Sequence, residues 1–183
     1  MTSGGPLPAV RVRRLSEAPA LREHGVTLVD AYLRLPDAWE GAAPDALPPV
    51  LQQVVAGYPG RAVPPAGEVL VAEVDAMAVG QVLLVPHEPG GARLERMYVV
   101  EGQRGRGLGR LLLEDALAVA ASLGHRRVVL DVMPERTGAF RLYRRQGFTP
   151  IEPYAENHRP MRFLGRDLAP PPGRSLSDRP PGG

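Results

Sequence analysis

Cysteine and lysine are both missing from the 183-residue sequence. Without cysteine the chain has no disulfide, no thiolate metal site and no cysteine nucleophile, and without lysine it has no Schiff-base chemistry. The four histidines offer few ligands for zinc, so we expect no metal site. Any chemistry therefore has to come from other side chains and from the backbone.

Aromatic residues and excess charge are also scarce. Aromatics make up 5% of the chain, and the net charge is only +2 although all 22 basic residues are arginine. A surface for single-stranded nucleic acid needs basic residues interleaved with aromatics, so we expect no nucleic-acid partner. An arginine-only, proline-rich composition is typical of a GC-rich genome.

Long apolar runs are absent as well. No stretch reaches the roughly 20 apolar residues that cross a bilayer. The first ten residues, "MTSGGPLPAV", lack the charged and apolar regions of a secretory signal. We therefore expect a cytoplasmic protein with no membrane partner.

The composition divides the chain into one domain and two tails. At 44% hydrophobic residues, 183 residues can form one domain with a substantial core. The Pro/Gly-rich segments 1–8 and 169–183 carry too little apolar surface to compensate for the entropy of ordering. We predict disordered tails on either side of a domain at residues 9–168.

The first half of the domain predicts a strand, two helices and a meander. "AVRVRRL" from Ala9 predicts a strand, and Ser16 predicts the cap of a helix from Glu17 to Leu35. Residues 36–67 contain one short predicted helix within "DALPPVLQQVVAGY". From Glu68 onward, three β-branched runs separated by turn residues predict three antiparallel strands.

The second half predicts helix, strand, helix and two strands. An apolar stripe that begins at Leu108 and ends near Gly124 predicts an amphipathic helix. "RRVVLDVM" predicts a buried strand, and "TGAFRLYRRQ" predicts a helix that ends at Gly147. "FTPIEPY" and "MRFLGRDL" predict the last two strands.

The stretch "RGRGLGR", residues 104–110, lies between a predicted strand and a predicted helix; we call it the glycine loop. Its glycines leave backbone N–H groups uncovered, and a helix start adds unpaired N–H groups and a positive dipole end, so the loop predicts an anion site. A P-loop would need lysine where Leu108 stands, and a dinucleotide fingerprint would need glycine where Arg110 stands. A simple turn without a ligand stays open as an alternative.

The glycine loop and its surroundings resemble the GNAT acetyltransferase superfamily. The pattern R-x-x-G-x-G lies within "LERMYVVEGQRGRGLGRLLLEDAL", which is similar to that family's strand, loop and helix, and "AFRLYRRQGF" is similar to its later helix. The resemblance implies an α/β GNAT fold over residues 9–168, with a mixed, mostly antiparallel sheet of six to seven strands flanked by about four helices. "GFTPIEPYAENHRP" followed by "MRFLGRDL" resembles a subgroup of small, mostly uncharacterised bacterial members.

The resemblance implies acetyl-CoA as cosubstrate. Its pyrophosphate would bind the glycine loop, and its pantetheine arm would run along the preceding strand. The implied contacts are Met97, Tyr98, Val99, Arg104, Gly105, Arg106, Gly107, Leu108, Gly109 and Arg110.

The reaction that the resemblance implies is direct transfer of the acetyl group to a primary amine. Two side chains are candidates for its proton transfers. Tyr143 matches the family's frequent general acid, and its phenol is protonated at neutral pH. Glu95 matches a position where many members carry a carboxylate base. Packing for Tyr143 and a surface salt bridge for Glu95 are the structural alternatives.

The acceptor is open, and a small molecule is the expected class. Arg136 stands where members often have an asparagine that contacts the pantetheine arm. The positions that correspond to acceptor recognition are Tyr32, Trp39, Tyr58, Glu152, Tyr154, Glu156, Asn157 and His158. The alternative function is a catalytically weak acyl-CoA-binding sensor or interaction protein, and the resemblance also allows a homodimer through the C-terminal strands.

Overall fold

The computed structural model of the protein describes residues 9–35, 47–88, 90–156 and 159–169. Within these ranges, α-helices pack on a seven-stranded sheet. None of the helices in these ranges is long and apolar enough to span a bilayer. The strands are β1 (Val10–Arg14), β2 (Glu68–Val74), β3 (Met77–His87), β4 (Gly91–Val99), β5 (Arg127–Val132), β6 (Thr149–Pro150) and β7 (Arg162–Asp167). The α-helices are α1 (Arg22–Leu33), α2 (Pro49–Ala56), α3 (Leu108–Ser122) and α4 (Thr137–Arg145).

The sheet is mixed and mostly antiparallel, which confirms the predicted fold class. The strand order is β1-β2-β3-β4-β5-β7-β6, and only β4 and β5 pair in parallel. The meander β2-β3-β4 forms as its sequence predicts. The turn between β2 and β3 consists of Asp75 and Ala76, both at positive φ (51° and 64°), which suits the right-handed twist of a two-residue hairpin.

Two hydrophobic clusters cover opposite faces of the sheet. Alternate residues of β2 point to different clusters: Leu70 packs with α3 and α4, whereas Val71 packs with α1 and α2. Because helices cover both faces, every residue of β2 is buried, and the strand reads as a continuous apolar run broken only near its ends.

The parallel pair at the centre of the sheet is short. β4 and β5 pair only from Gly91 to Arg93 on β4, opposite Arg127 to Val129 on β5. Arg96 then adopts a left-handed φ of 49° where the register with β3 slips by one residue, which is a β-bulge in β4. Beyond Arg93 the two strands separate, so no described strand pairs with residues 94–99 on the edge of β4 that faces β5.

Two predicted boundaries are wrong. The first helix begins at Arg22 rather than Glu17, after a 3₁₀ turn at Pro19–Leu21. Ser16 does not cap it, because its hydroxyl donates instead to the carboxylate of Glu68, which is buried. The strand predicted from "FTPIEPY" is reduced to Thr149–Pro150, since proline cannot donate to a sheet ladder.

Tyr58 is part of the hydrophobic core. It is 2% exposed, and its hydroxyl lies 3.3 Å from the side-chain amide of Gln81, which is also fully buried. The ring lies directly beneath α1, where Gly25 leaves room for it. The hydroxyl of Tyr58 is therefore buried in the core, although the residue also lines a cavity that it shares with Glu95.

We predict that Gly25→Ala destabilises the fold. An added Cβ would lie 2.0 Å from the Tyr58 hydroxyl oxygen, so the ring or the helix has to move, and overpacking of this kind costs about 1–3 kcal/mol. Urea denaturation followed by circular dichroism measures the free energy of unfolding.

Gly102→Ala is the matched control, because an added Cβ there meets nothing within 4 Å. Equal stability of the two variants would contradict the account of the α1 packing.

Candidate functional site

The glycine loop has an open surface. Gly105 and Gly107 have positive φ values of 77° and 83°, which a side chain would strain, and Gly107 is the N-cap of α3. A Cβ built on either residue meets no atom within 4 Å. The glycines therefore meet a conformational need and leave the space in front of the loop free.

The start of α3 directs backbone N–H groups into this space. The first intrahelical bond runs from the N–H of Leu111 to the carbonyl of Gly107, at 3.0 Å. The N–H groups of residues 108–110 precede that bond, so they have no acceptor within the helix. Together with the positive end of the helix dipole, they form an environment suited to an anion.

The three arginines of the glycine loop are each oriented by a neighbour. The Nε atoms of Arg104 and Arg110 donate to the carbonyl of Val99 (3.0 Å) and to the carboxylate of Glu114 (2.7 Å). Arg106 donates to the side-chain carbonyl of Gln103, at 2.6 Å. Since a guanidinium has five N–H donors, each arginine keeps donors for a further acceptor.

A cavity of about 660 Å³, which we call the loop cavity, brings most of the predicted residues together. Between the end of β4, the glycine loop and α4, it is lined by every predicted cofactor residue except Arg106, and also by Tyr143. The predicted residues that line it are Met97, Tyr98, Val99, Arg104, Gly105, Gly107, Leu108, Gly109, Arg110 and Tyr143.

Tyr143 lies at a junction between two cavities. A second cavity of about 350 Å³, which we call the strand cavity, opens where β4 and β5 separate, and it shares Met97, Arg136, Ala139 and Tyr143 with the loop cavity. The Tyr143 hydroxyl lies 3.6 Å from the sulfur of Met97. The side chain of Tyr143 can therefore contact a ligand in either cavity.

Burial raises the pKa of Tyr143 above the usual range of a phenol. The neighbouring Tyr32 and Asp131 act in the same direction, and Arg136 acts against it. The hydroxyl is thus protonated at neutral pH and can serve as a proton donor.

Glu95 is held by two arginines. One carboxylate oxygen accepts from Arg93, whose Nε lies 3.0 Å away, and the other accepts from Arg96. The three residues line a separate cavity on the α1 and α2 side of β4. The structure therefore does not place Glu95 in the same cavity as Tyr143, although Arg96 lines both Glu95's cavity and the strand cavity.

Asp131 is a site residue that the sequence interpretation missed. It lies on β5 and lines the strand cavity together with Tyr143. Its Oδ1 accepts a 2.7 Å hydrogen bond from the hydroxyl of Tyr154. Burial, followed by that hydrogen bond, raises the pKa of Tyr154. The single carboxylate in the apolar run "RRVVLDVM" was the signal that could have indicated it.

The other predicted acceptor contacts lie in different parts of the structure. Tyr32 lines the strand cavity, and its hydroxyl accepts a 3.2 Å hydrogen bond from Arg136. The guanidinium carbon of Arg136 lies 5.1 Å from the centroid of the Tyr32 ring. Glu152 lines a different recess near the start of β5, and Glu156 is exposed. Three further predicted contacts lie outside the described residues: Trp39, Asn157 and His158.

No group of three or more histidine, aspartate or glutamate side chains suited to a metal ion occurs among the described residues. The groups that converge on the two cavities are backbone N–H groups, guanidinium groups, three phenols and one carboxylate. Such a set binds anions and moves protons, which is the repertoire that group transfer without a metal requires.

Comparison with known proteins relates this architecture to one family. The sequence profile of the Acetyltransferase (GNAT) family matches residues 30–148. An uncharacterised N-acetyltransferase from Schizosaccharomyces pombe is 38% identical over 96 residues, or 51% of this chain and 59% of that protein. The chain thus spans less than two thirds of that relative's length.

Solved structures share the fold. An acetyltransferase of the GNAT family from Staphylococcus aureus superposes with a TM-score of 0.70 at 17% identity, covering 88% of this chain and 100% of that one. An acetyltransferase from Salmonella typhimurium, solved with acetyl-CoA, superposes with a TM-score of 0.59 at 18% identity, covering 93% and 99%.

We predict that the protein loses stability as the pH rises above about 10. Burial raises the pKa of Tyr58, Tyr143 and Tyr154 in the fold, whereas an unfolded tyrosine ionises near pH 10. The stabilising contribution of these neutral phenols is complete below the unfolded pKa and is lost progressively as the pH rises from there toward the raised pKa of the folded state. Urea denaturation between pH 8 and 11 measures the slope.

Above about pH 10, Tyr143→Phe should make that slope shallower by up to about 1.4 kcal/mol per pH unit, because one ionisable group is removed from the unfolded state. A slope that is identical in the variant and the wild type would show that Tyr143 ionises in the folded protein as readily as in the unfolded chain.

Proposed function

This chain belongs to the acetyltransferase (GNAT) family, and we propose that it transfers the acetyl group of acetyl-CoA directly to a primary amine of a small acceptor. The observation that carries the proposal is the glycine loop, whose uncovered N–H groups open into a cavity that ends at the phenol of Tyr143. The family uses acetyl-CoA as its acetyl donor.

The loop cavity fits the charged part of acetyl-CoA. A pyrophosphate needs several N–H donors and positive charge, and the loop offers the N–H groups of residues 108–110 with Arg104 and Arg110 beside them. Side chains at Gly105 and Gly107 would fill the space that the phosphates need. The fit therefore depends on glycine at both positions.

The open edge of β4 fits the arm of the same molecule. In the described part of the chain, residues 94–99 have no partner strand on the side of β5, because the parallel pairing ends at Arg93. An extended group that carries amides can bind such an edge as an added strand. We propose that Met97, Tyr98 and Val99 bind the arm in this way.

Bound acetyl-CoA supplies the thioester, and the chain supplies the proton transfers. We propose that Tyr143 donates its phenolic proton to the departing thiolate, for which its burial and its position between the two cavities suit it. A backbone N–H group of β4 polarises the acetyl carbonyl, a type of contact worth roughly 10²–10³ in rate.

Glu95 remains the proposed base. Its carboxylate is paired with Arg93 and Arg96 and faces the α1 and α2 side of β4, so it reaches the strand cavity only past Arg96. A proton from the acceptor amine would have to travel to it through an intervening water.

The size of the strand cavity supports a small acceptor. Its volume of about 350 Å³ lies at the low end of the range of pockets that hold small molecules, roughly 300–1,000 Å³. The cavity adjoins the loop cavity at Tyr143, which is where the amine and the acetyl group would have to meet.

We predict that Gly107→Glu weakens acetyl-CoA binding at least about tenfold. The glutamate would fill the open space in front of the loop with a negative charge, and a loss of at least about tenfold in affinity corresponds to about 1.4 kcal/mol. Isothermal titration calorimetry with acetyl-CoA measures the dissociation constant.

Gly124→Glu is the matched control. Gly124 lies beyond the other end of α3 at a φ of 85°, close to the 83° of Gly107, and an added Cβ there also meets nothing within 4 Å. The two variants thus share charge and backbone strain, and only one faces the loop cavity. Equal affinity of both variants for acetyl-CoA would refute the assignment of the loop.

We predict that Tyr143→Phe retains acetyl-CoA binding and lowers kcat by roughly 10²–10⁴, the usual contribution of a general acid. Release of the coenzyme A thiol during incubation with a panel of amines measures kcat. Glu95→Gln in the same assay tests the proposed base.

Tyr58→Phe is the control, since it removes another buried hydroxyl, one that lines neither the loop cavity nor the strand cavity. If Tyr143→Phe retained the kcat of the wild type, Tyr143 would be a packing residue. If the folded wild type bound acetyl-CoA but released no thiol with any amine of the panel, the chain would be a binding protein rather than an enzyme.

A further inference from the structure

Asp131 is the one carboxylate among the described residues that line the strand cavity. It is half-buried and lies on β5, two residues beyond Val129, the last residue of that strand that pairs with β4. The other charged side chains that line the cavity are arginines, and a guanidinium accepts no proton. A phenol keeps its own proton at neutral pH. Within the described ranges, Asp131 is therefore the only side chain of this cavity that can take up a proton.

Asp131 is oriented by a tyrosine from the segment after β6. The hydroxyl of Tyr154 donates to Oδ1 of Asp131 at 2.7 Å. The Tyr154 ring makes edge contacts with the rings of His87 and Phe163, at centroid distances of 4.8 and 4.9 Å. Phe163 is the residue of β7 directly opposite Asp131 in the sheet. These contacts hold Oδ1, and no described residue donates to Oδ2, so that oxygen can accept from a ligand.

Glu95 differs from Asp131 in both respects. Its two carboxylate oxygens accept from guanidinium groups, one from Arg93 and the other from Arg96. It lines a cavity that Tyr143 does not line. A proton that reaches Glu95 thus has to displace an arginine contact, whereas Asp131 has a neutral donor on one oxygen only.

The charge of Asp131 acts on the reacting phenol. Burial raises the pKa of Tyr143 most, and the neighbouring Tyr32 and Asp131 raise it further. Asp131 and Tyr143 also line the same cavity of about 350 Å³. An ammonium group bound to Asp131 would therefore lie near the junction of the two cavities, which is where the acetyl group would arrive.

Two protons have to leave the acceptor nitrogen. An alkylamine is an ammonium ion at neutral pH, so it loses one proton before its lone pair can attack the thioester. It loses a second proton once the C–N bond has formed. A single carboxylate holds one proton, so the reaction of an ammonium ion needs a proton acceptor besides Glu95.

On the basis of the proposed function, we propose that Asp131 binds the ammonium group of the acceptor and takes its first proton, with Tyr154 as a positioning residue. The neutral amine attacks the thioester carbonyl carbon, so that the C–N bond forms and the C–S bond breaks. The second proton of the nitrogen passes through water to Glu95, and Tyr143 gives its proton to the thiolate. The proton on Asp131 then returns to the Tyr143 phenolate, and Glu95 releases its proton to water. The products are the amide, the free thiol and one proton in solution.

The test compares acceptors that differ in charge. Butylamine and benzylamine are cations at neutral pH, whereas O-butylhydroxylamine and O-benzylhydroxylamine carry the same organic groups on a weakly basic, uncharged NH₂ group. Each pair is assayed at neutral pH by release of the coenzyme A thiol. Asp131→Asn keeps an acceptor for the Tyr154 hydroxyl. It should lower kcat/KM by about 100-fold or more for the cations, the low end of the usual contribution of a general base, and hardly at all for their neutral partners.

Three further variants assign the effect to residues. Glu95→Gln should lower kcat/KM equally for both members of a pair, because both lose the second proton. Tyr154→Phe keeps the charge of Asp131 and should still lower the ratio of cation to neutral partner at least about threefold, which tests the inference even if Asp131→Asn does not fold. Asp167→Asn is the matched control and should behave as the wild type, because this exposed carboxylate on β7 lines neither cavity.

The outcomes separate this inference from the proposed function. Equal losses for both members of each pair in Asp131→Asn would make Asp131 a structural residue and overturn the inference. A selective loss of the cations in Glu95→Gln instead, or a wild type that reacts with neither cation, would overturn it too. In each case acetyl-CoA binding by calorimetry and thiol release with other amines would leave the proposed function intact. If the folded wild type does not bind acetyl-CoA, the proposed function fails, and the inference fails with it.

Discussion

The separation of β4 from β5 is the constraint on which the site depends. The two strands pair in parallel over three residues on each and then diverge, just before the bulge at Arg96. A fully paired sheet would have no open edge on β4 and no strand cavity. The divergence leaves polar backbone groups exposed at the centre of the sheet, which would be unfavourable in a purely structural protein and is the property that a ligand with amide groups can use.

The proposed roles of the glycine loop and Tyr143 depend on that opening. The loop follows β4 after a short 3₁₀ turn and lines the same cavity, so an anion on the N–H groups of α3 and an extended group along β4 would form one continuous ligand. α4 covers the same opening from one side of the sheet and places Tyr143 at the junction of the two cavities. Charge is arranged along this path, with arginines at the loop, a neutral phenol at the junction, and arginines with Asp131 beyond it.

The sequence was most informative where the signal is local. The glycine loop, the helix after it and the meander depend on backbone conformation and on short periodic patterns, and they form as predicted. Ser16 is an ordinary cap in sequence, but the buried carboxylate of Glu68, 52 residues away, binds it instead. The local sequence around Tyr58 does not distinguish it from a surface aromatic residue. Its burial in the core depends on the tertiary contact with Gly25. The pairing of Glu95 with two arginines and the meeting of Asp131 with Tyr154 depend on tertiary contacts that no local pattern encodes.

The central claim is that the backbone N–H groups of the glycine loop hold the pyrophosphate of acetyl-CoA. The most direct test is an amide NMR titration of the ¹⁵N-labelled protein with coenzyme A, which follows each backbone N–H separately. The account predicts saturable shifts at residues 105–110 and along residues 97–99, with little change in β1 or α2. Unchanged loop amides in a folded protein, or shifts confined to another surface, would contradict it.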